Sequence, residues 1–289
     1  MDTMLHFNND SLHRPMTKDE IRQKAPYIFA EGATNPGVSD RYVFANTETI
    51  IDDMEKLGWD VVDCKQQRPN KRSSVRSFHM VAFQNKNVYI TKTNADGTES
   101  IDCFPRIILT NSHDGFNSFK FMVGLFRLVC SNGLVVATET FANVAIRHIN
   151  YTFDELREIV AKAIFNVSDN IKVMNEMQNT VLTYEQKRAL ANEAMRIRNN
   201  SSDDEDEKPV ELSDEDAEDI LSPLREEDKG DDLWTVFNLL QEKIIKGSFK
   251  MLSPTNGKTR KARPITGVAR DIEINQALFL YASELRLAA

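Results

Sequence analysis

The reading of this chain turns on Ile107 to Val136, IILTNSHDGFNSFKFMVGLFRLVCSNGLVV. Two strand-like apolar runs flank a polar, turn-rich centre. That centre, Asn111-Ser112-His113-Asp114-Gly115, gathers donors, acceptors and a titratable imidazole into five residues. The second run ends in Arg127, Cys130, Ser131, Asn132 and Gly133, and Arg147-His148 follow shortly after. A stretch that served only to fill a core has little use for such polar density between hydrophobic strands.

The strand pattern extends outward from this segment, from Trp59 to His148. Short apolar runs at 59–62, 78–83, 88–91, 107–110, 119–130, 134–137 and 144–148 call for about six strands in a mostly antiparallel meander. Asn94-Ala-Asp-Gly97 is a turn signal within it. Before the strands, Thr17-Lys-Asp-Glu20 reads as a capping box that opens a helix stopped by Pro26. A second helix runs from Thr47 to Leu57 on an apolar stripe of Ile50, Ile51, Met54 and Leu57, with Gly58 as its left-handed stop. After the strands, Thr152-Phe-Asp-Glu155 opens a long helix whose stripe, from Leu156 to Met174, is made to lie on a sheet. Thr183-Tyr-Glu-Gln186 opens another. The fold class expected is α+β: a curved, mostly antiparallel sheet covered by long helices.

Charge divides the chain. Residues 201–232 hold 16 acidic and 3 basic residues, a net of −13, while the other 257 hold 28 acids and 33 bases, a net of +5. Residues 199–231 therefore read as an acidic disordered linker or insertion, since like charges repel and few apolar groups offset chain entropy. Residues 1–198 form the expected α+β core. Residues 232–289 form a helical C-terminal segment that packs back on it: an amphipathic helix from Leu233 closed by Gly247, a basic loop, and a helix from Asp271 to Leu287.

Composition excludes several classes. No apolar run approaches the ~18 residues of a membrane span, and MDTMLHFNNDSLH lacks the pattern of a signal peptide. Three widely spaced cysteines, Cys64, Cys103 and Cys130, suit a reducing cytoplasm and no disulfide framework. The chain carries no GxxxxGK[ST] loop, GxGxxG fingerprint, HExxH motif or CxxC pair. No organic cofactor is expected.

Two blocks carry bases and no acid. Between Cys64 and Ala95 lie Lys65, Arg68, Lys71, Arg72, Arg76, Lys86 and Lys92. Between Lys243 and Arg270 lie Lys243, Lys246, Lys250, Lys258, Arg260, Lys261, Arg263 and Arg270. Such blocks can track a phosphate backbone by releasing its condensed counterions. Lys65, Arg68, Lys71, Arg72, Arg76, Lys258, Arg260, Lys261 and Arg263 are the expected nucleic-acid contacts, with Phe78, Tyr89 and Phe249 placed to stack on bases. The acidic segment then binds a basic partner or competes for the chain's own basic groove.

The polar centre offers a second chemistry. His113 beside Asp114, with Arg127 and His148, forms a candidate acid–base or metal-assisted hydrolytic cluster. Neighbouring residues on a strand face opposite ways, so His113 and Asp114 cooperate only within a turn. Backbone capping by Asn, Ser and Asp is the competing role for that turn. His79, His113, His148 and Asp114 are the set that a divalent metal would need to draw together. Cys130 is a weak nucleophile candidate in an apolar context.

The series Asn111–Gly115, Phe126-Arg-Leu-Val-Cys-Ser-Asn-Gly-Leu134 and Ile146-Arg-His148 resembles the domain of unknown function 932 family of phage and plasmid proteins. Residues 233–285, with Thr259-Arg-Lys-Ala-Arg-Pro264, resemble that family's C-terminal region, which makes the acidic segment an insertion. The resemblance implies no settled activity. A sheet meander followed by a long helix also resembles, at fold level only, single-strand annealing proteins. The leading expectation is a non-enzymatic nucleic-acid-binding protein of DNA metabolism or recombination, acting on DNA in the cytoplasm of a bacterial or phage-infected cell. A homo-oligomer is compatible with it. The alternatives are a metal-assisted hydrolase or nuclease at His113, and an interaction protein whose acidic segment mimics DNA toward a host factor.

Overall fold

A computed structural model describes residues 14–39, 42–67, 77–93, 99–117, 119–127, 152–199, 212–252 and 259–288. The chain divides into two compact units, Met1–Val167 and Ser168–Ala289.

The first unit opens with α1, Lys18–Lys24. The Glu20 N–H bonds Thr17 Oγ1 at 3.2 Å and the Thr17 N–H bonds Glu20 Oε2 at 2.9 Å, which is the reciprocal box expected. A 3₁₀ turn at Pro26–Phe29 follows. Helix α2, Thr47–Lys56, is capped by Asn46 and ends at Gly58, whose φ is 80°. Both helices pack against β1, Asp60–Gln66. The remaining strands are β2 (His79–Gln84), β3 (Ile90–Thr93), β4 (Glu99–Asn111) and β5 (Lys120–Arg127).

All pairings are antiparallel, and five strands make only four lanes. β4 is long enough to pair with β5 along one edge, from Cys103 to Thr110. Its other edge pairs first with β3, through Cys103, and then with β2, from Arg106. β2 and β3 are thus one lane interrupted at residues 85–89. Phe104 and Pro105 have no strand partner on that side, where a proline costs the ladder least. The expected six strands are therefore corrected to five described strands, and the sheet is not strongly curled. The runs at 134–137 and 144–148 lie outside the described residues, as does the turn at 94–97.

β1 explains why alternation is weak there. A register shift between Val61 and Asp63 puts an extra residue in the strand. Its buried residues are Val61 and Cys64, three apart where period two would apply. Val61, Phe83, Ile107 and Val123 form one cross-strand row, and Cys64, Val81, Leu109 and Phe121 the next. All eight are buried, and they form the core of the unit.

Helix α3, Phe153–Asn179, carries the expected capping box, and the boundary between the units falls inside it. Leu156, Ile159, Val160 and Ala163 are buried in its first part, Met174 and Met177 in its second. The second unit continues with α4 (Tyr184–Asn199), α5 (Asp214–Leu221), a 3₁₀ turn (Glu226–Asp228), α6 (Leu233–Lys246), β6 (Lys250–Leu252), β7 (Thr259–Lys261) and α7 (Val268–Ala288). α4, α6 and α7 pack mutually.

Two expectations need correction here. From residue 212 to 231 the acidic segment is folded and not a disordered linker. Leu212, Ala217 and Ile220 are buried, Ser213 caps α5, and three acids in its first turn favour the helix dipole. Residues 200–211 lie outside the described residues. Helix α6 is also not amphipathic: every residue from Leu233 to Ile245 is buried. Its buried charged and amide side chains have internal partners, while the Trp234 indole N–H has none among the described residues. Glu242 pairs with Arg225 and Lys246, the Lys243 ammonium donates to the Asp219 carbonyl and Ser222, and Gln241 donates to Asn275 at 2.7 Å.

Gly247 ends α6 at φ 68°, and a Cβ there would clash with the Ala262 carbonyl oxygen. Gly247→Ala should lower unfolding free energy by more than about 1 kcal/mol, through both strain and backbone displacement. Urea denaturation checks this, and a wild-type midpoint would show that the close approach relaxes freely.

Candidate functional site

The polar centre of the sequence becomes a buried cluster at one end of the sheet. β2 begins at His79 and β4 ends at Asn111, and register places the two directly opposite each other, so they share a face. That face is apolar along Phe83–Ile107 and Val81–Leu109, and turns polar only at this last row. Thr47, the first residue of α2, supplies the third member, and His113 the fourth. All four are fully buried.

Their hydrogen bonds can be assigned by elimination. His79 Nδ1 lies 2.7 Å from the Ser77 carbonyl oxygen, which only accepts, so Nδ1 carries the proton. In the neutral ring Nε2 must then accept, and the Thr47 hydroxyl donates to it at 2.9 Å. Thr47 has one proton, so its oxygen accepts everything else: Asn111 Nδ2–H at 2.9 Å and His113 Nε2–H at 3.4 Å. Asn111 Nδ2 also donates to the Ala45 carbonyl at 3.1 Å, and Asn111 Oδ1 accepts the Ser112 N–H at 2.8 Å, which fixes the amide. The His79 and His113 rings lie 4.9 Å apart and Phe44 packs 4.7 Å from His113.

Ser77 and Asp114 form the layer below. The Asp114 carboxylate accepts the Ser77 N–H at 2.8 Å and the Phe116 N–H at 2.9 Å. Ser77 Oγ accepts the His113 N–H at 2.7 Å and the Thr34 hydroxyl at 3.0 Å. Two earlier residues tie on here, Asn35 through Nδ2 to the Asp114 carbonyl and Tyr42 through its hydroxyl to the Ser112 carbonyl. Gly115, at φ 76°, faces Val38: a Cβ there would sit 3.0 Å from Val38 Cγ1. Between these loops opens a cleft of about 470 Å³ lined by Tyr42, Val43, Asp114 and Phe116 among others.

Burial sets the electrostatics. It pushes His79 down to about 4, overcoming the Ser77 hydrogen bond and the Asp114 charge, so the ring is neutral at pH 7. Burial also pushes the Cys64 thiol up to about 12, an inert sulfur. Arg106 is held down to about 10 by burial while it donates to Gln84 Oε1 at 2.7 Å across the sheet.

His113 and Asp114 do occupy a turn, but their side chains take separate jobs. The carboxylate caps backbone N–H groups, and the imidazole points to Thr47. His79 and His113 do converge, whereas His148, Arg147, Cys130 and the side chain of Arg127 lie outside the described residues. Among the described residues, no three His, Cys, Asp or Glu side chains cluster as metal ligands. Thr47, Ser77 and Tyr42 were not signalled by the sequence: Thr47 read only as the start of an amphipathic helix.

Of the expected nucleic-acid contacts, Arg68, Lys71, Arg72, Arg76 and Lys258 lie outside the described residues, as does the side chain of Arg260. Lys65 is half-buried on β1, while Lys261 and Arg263 are exposed. Phe249 is buried beneath the Arg198 guanidinium and cannot stack on a base. Tyr89 is 49% exposed and keeps that option.

The chain belongs to the family described as domain of unknown function (DUF932), whose model matches residues 37–279. It is 30% identical over 276 residues to the UPF0380 protein YafZ of Escherichia coli (strain K12), covering 94% of this chain and 92% of the relative. The UPF0380 protein YfjQ of the same organism matches with the same identity and coverage. No solved structure matches the chain. Among the described residues no helix is long and apolar enough to cross a membrane.

Two outcomes follow from the buried cluster. Thr47→Val leaves His79 Nε2 and an Asn111 N–H without their partner and should cost about 1–3 kcal/mol in denaturant unfolding. A neutral effect would mean that the hydroxyl is dispensable. His79 protonates less readily folded than unfolded, so its stabilisation is complete above pH 6.5 and falls away as pH drops toward 4. The difference between wild type and His79→Gln should therefore shrink over that window, on the order of 3 kcal/mol at most. A pH-independent difference would place the His79 titration elsewhere.

Proposed function

We propose that this DUF932-family chain is a non-enzymatic nucleic-acid-binding protein, with DNA as its partner and DNA metabolism or recombination as its setting. One observation carries the reading. The β6–β7 ribbon sets Lys250 directly opposite Lys261, and both side chains are exposed. Like charges facing each other across a ladder destabilise it. Neither ammonium has a carboxylate partner among the described residues, so the fold itself gives no reason for the pair. A polyanion does.

The second acid-free block supports this once it is sorted. Lys243, Lys246 and Arg270 are taken up by the protein, through the Asp219 carbonyl and Ser222, Glu242, and Glu273 with the end of α4. Lys250, Lys261 and Arg263 remain exposed, all on or beside the ribbon. A two-stranded β-ribbon fits the major groove of duplex DNA, and phosphate contacts need only exposed charge. Lys258 and Arg260 belong to the same acid-free block of sequence. Lys65, Arg68, Lys71, Arg72 and Arg76 would add contacts from the first unit.

Fluorescence anisotropy with labelled single- and double-stranded DNA across a salt series is the test. Wild type should bind with a log–log salt slope of several units. The double variant Lys250→Gln/Lys261→Gln should weaken binding about tenfold or more at 100 mM salt and reduce the slope by about 2. Changing Asp203, Asp204, Glu205, Asp206 and Glu207 to serine should tighten binding if the acidic segment competes for the basic surface. No DNA binding by wild type at low salt sinks the reading.

A further inference from the structure

The last turn of α4 meets the base of the ribbon at Arg198. Its guanidinium donates to the Arg263 carbonyl and lies 5.5 Å over the ring of buried Phe249. The other terminal nitrogen, Nη1, is buried and has no hydrogen-bond partner. No carboxylate pairs with Arg198 among the described residues. The neighbouring charge is Arg270, which pairs with Glu273 and donates to the carbonyls of Ile197 and Arg198, at 2.5 and 3.2 Å. Burial and Arg270 together hold the Arg198 guanidinium below the ordinary arginine range.

A half-buried cation with an unmet donor and a cationic neighbour is costly in a folded protein. Nearby charged groups elsewhere in the unit have been neutralised, as the Arg225–Glu242–Lys246 cluster shows. Arg198 has not. Its fork geometry suits two oxygens of a tetrahedral anion, and the Phe249 ring lies against the guanidinium. Exposed Lys261 and Arg263 adjoin the same turn of chain.

We infer that Arg198, with Arg263 and Lys261, forms a phosphate-holding site at the base of the β6–β7 ribbon. The inference rests on the nucleic-acid reading for the source of the phosphate, a backbone phosphodiester. The site itself requires only the anion. Arg198 is the anchor because the Arg263 carbonyl and the Phe249 ring hold its guanidinium before the ligand arrives.

The test uses the full chain and Arg198→Met, with Arg198→Lys as a variant that keeps charge but loses the fork. Melting temperature is read with and without 10 mM inorganic phosphate, and anisotropy is read with a labelled 20-nucleotide DNA across a salt series. Phosphate should raise the melting temperature of wild type and leave Arg198→Met unmoved. Arg198→Met should bind DNA about tenfold more weakly, with a salt slope reduced by about 1, and melt unliganded no lower than wild type. Arg198→Lys should fall between. If wild type binds DNA and Arg198→Met binds equally with the same slope, the site is overturned and the nucleic-acid reading stands. If wild type ignores DNA but phosphate protects it through Arg198, the site stands as one for a free phosphate compound and the nucleic-acid reading falls. A lower unliganded melting temperature in Arg198→Met with unchanged phosphate protection overturns the site and makes Arg198 structural.

Discussion

One hydroxyl proton organises the first unit. Thr47 donates to His79 and accepts from Asn111 and His113, so a single oxygen ties the start of α2 to β2, to β4 and to the turn after β4. Each of these groups is fully buried, and leaving any one unmatched would cost about 1–3 kcal/mol. The arrangement therefore works in one strand register. Shifting β2 against β4 by one residue would carry His79 to the other face, away from Thr47 and Asn111. The apolar rows above this end, Val81–Leu109 and Phe83–Ile107, can pack with many neighbours. The polar row cannot, and it is the row that specifies the alignment.

The second unit meets buried charge by a different route. α6 is enclosed on all sides and still carries Glu242 and Lys243, each held by specific partners. Satisfied in this way, buried ions cost little and fix how α5 and the 3₁₀ turn sit on α6. Asp219 contributes twice, with its carbonyl to Lys243 and its carboxylate to the Lys250 N–H at 2.7 Å. The acidic segment is thus partly a structural counterweight to the basic block that follows it. Arg198 stands apart because, among the described residues, the same unit supplies it with a carbonyl, an aromatic face and the Glu273-paired Arg270, but no carboxylate of its own.

Much of this architecture was legible because it depends on neighbours in sequence. The boxes at Thr17, Thr152 and Thr183 and the stops at Gly58 and Gly247 are local, and each appears where the residues place it. What was illegible depends on distant partners. The bulge in β1 moves the second buried residue from position 63 to 64 and hides the alternation. β2 and β3 read as separate strands, although opposite β4 they share one lane. Charge concealed α5, because three buried residues, Leu212, Ala217 and Ile220, outweigh a composition that resembles disorder. His113 and Asp114 looked like a pair because they adjoin. Their true partners, Thr47 and Ser77, lie 66 and 37 residues away.

The same distinction decides how charge should be read. An acid-free run of eight bases looks like one signal, yet helices α6 and α7 direct Lys243, Lys246 and Arg270 inward or toward carboxylates, while the ribbon turns Lys250 and Lys261 outward. The ammonium groups of the second set have no carboxylate partner among the described residues. A ribbon of three residues on each strand has little area with which to offset the repulsion of a facing lysine pair. It is held instead from below, by the Phe249–Ala262 backbone bond and the close approach of Gly247 to Ala262. That support offsets part of the repulsion between the facing lysines. Preorganised positive charge loses less conformational freedom on meeting phosphate than charge on a loose tail would. On the proposed nucleic-acid reading, the backbone support at the ribbon's base and the repulsion at its surface would serve one end, the holding of an anion.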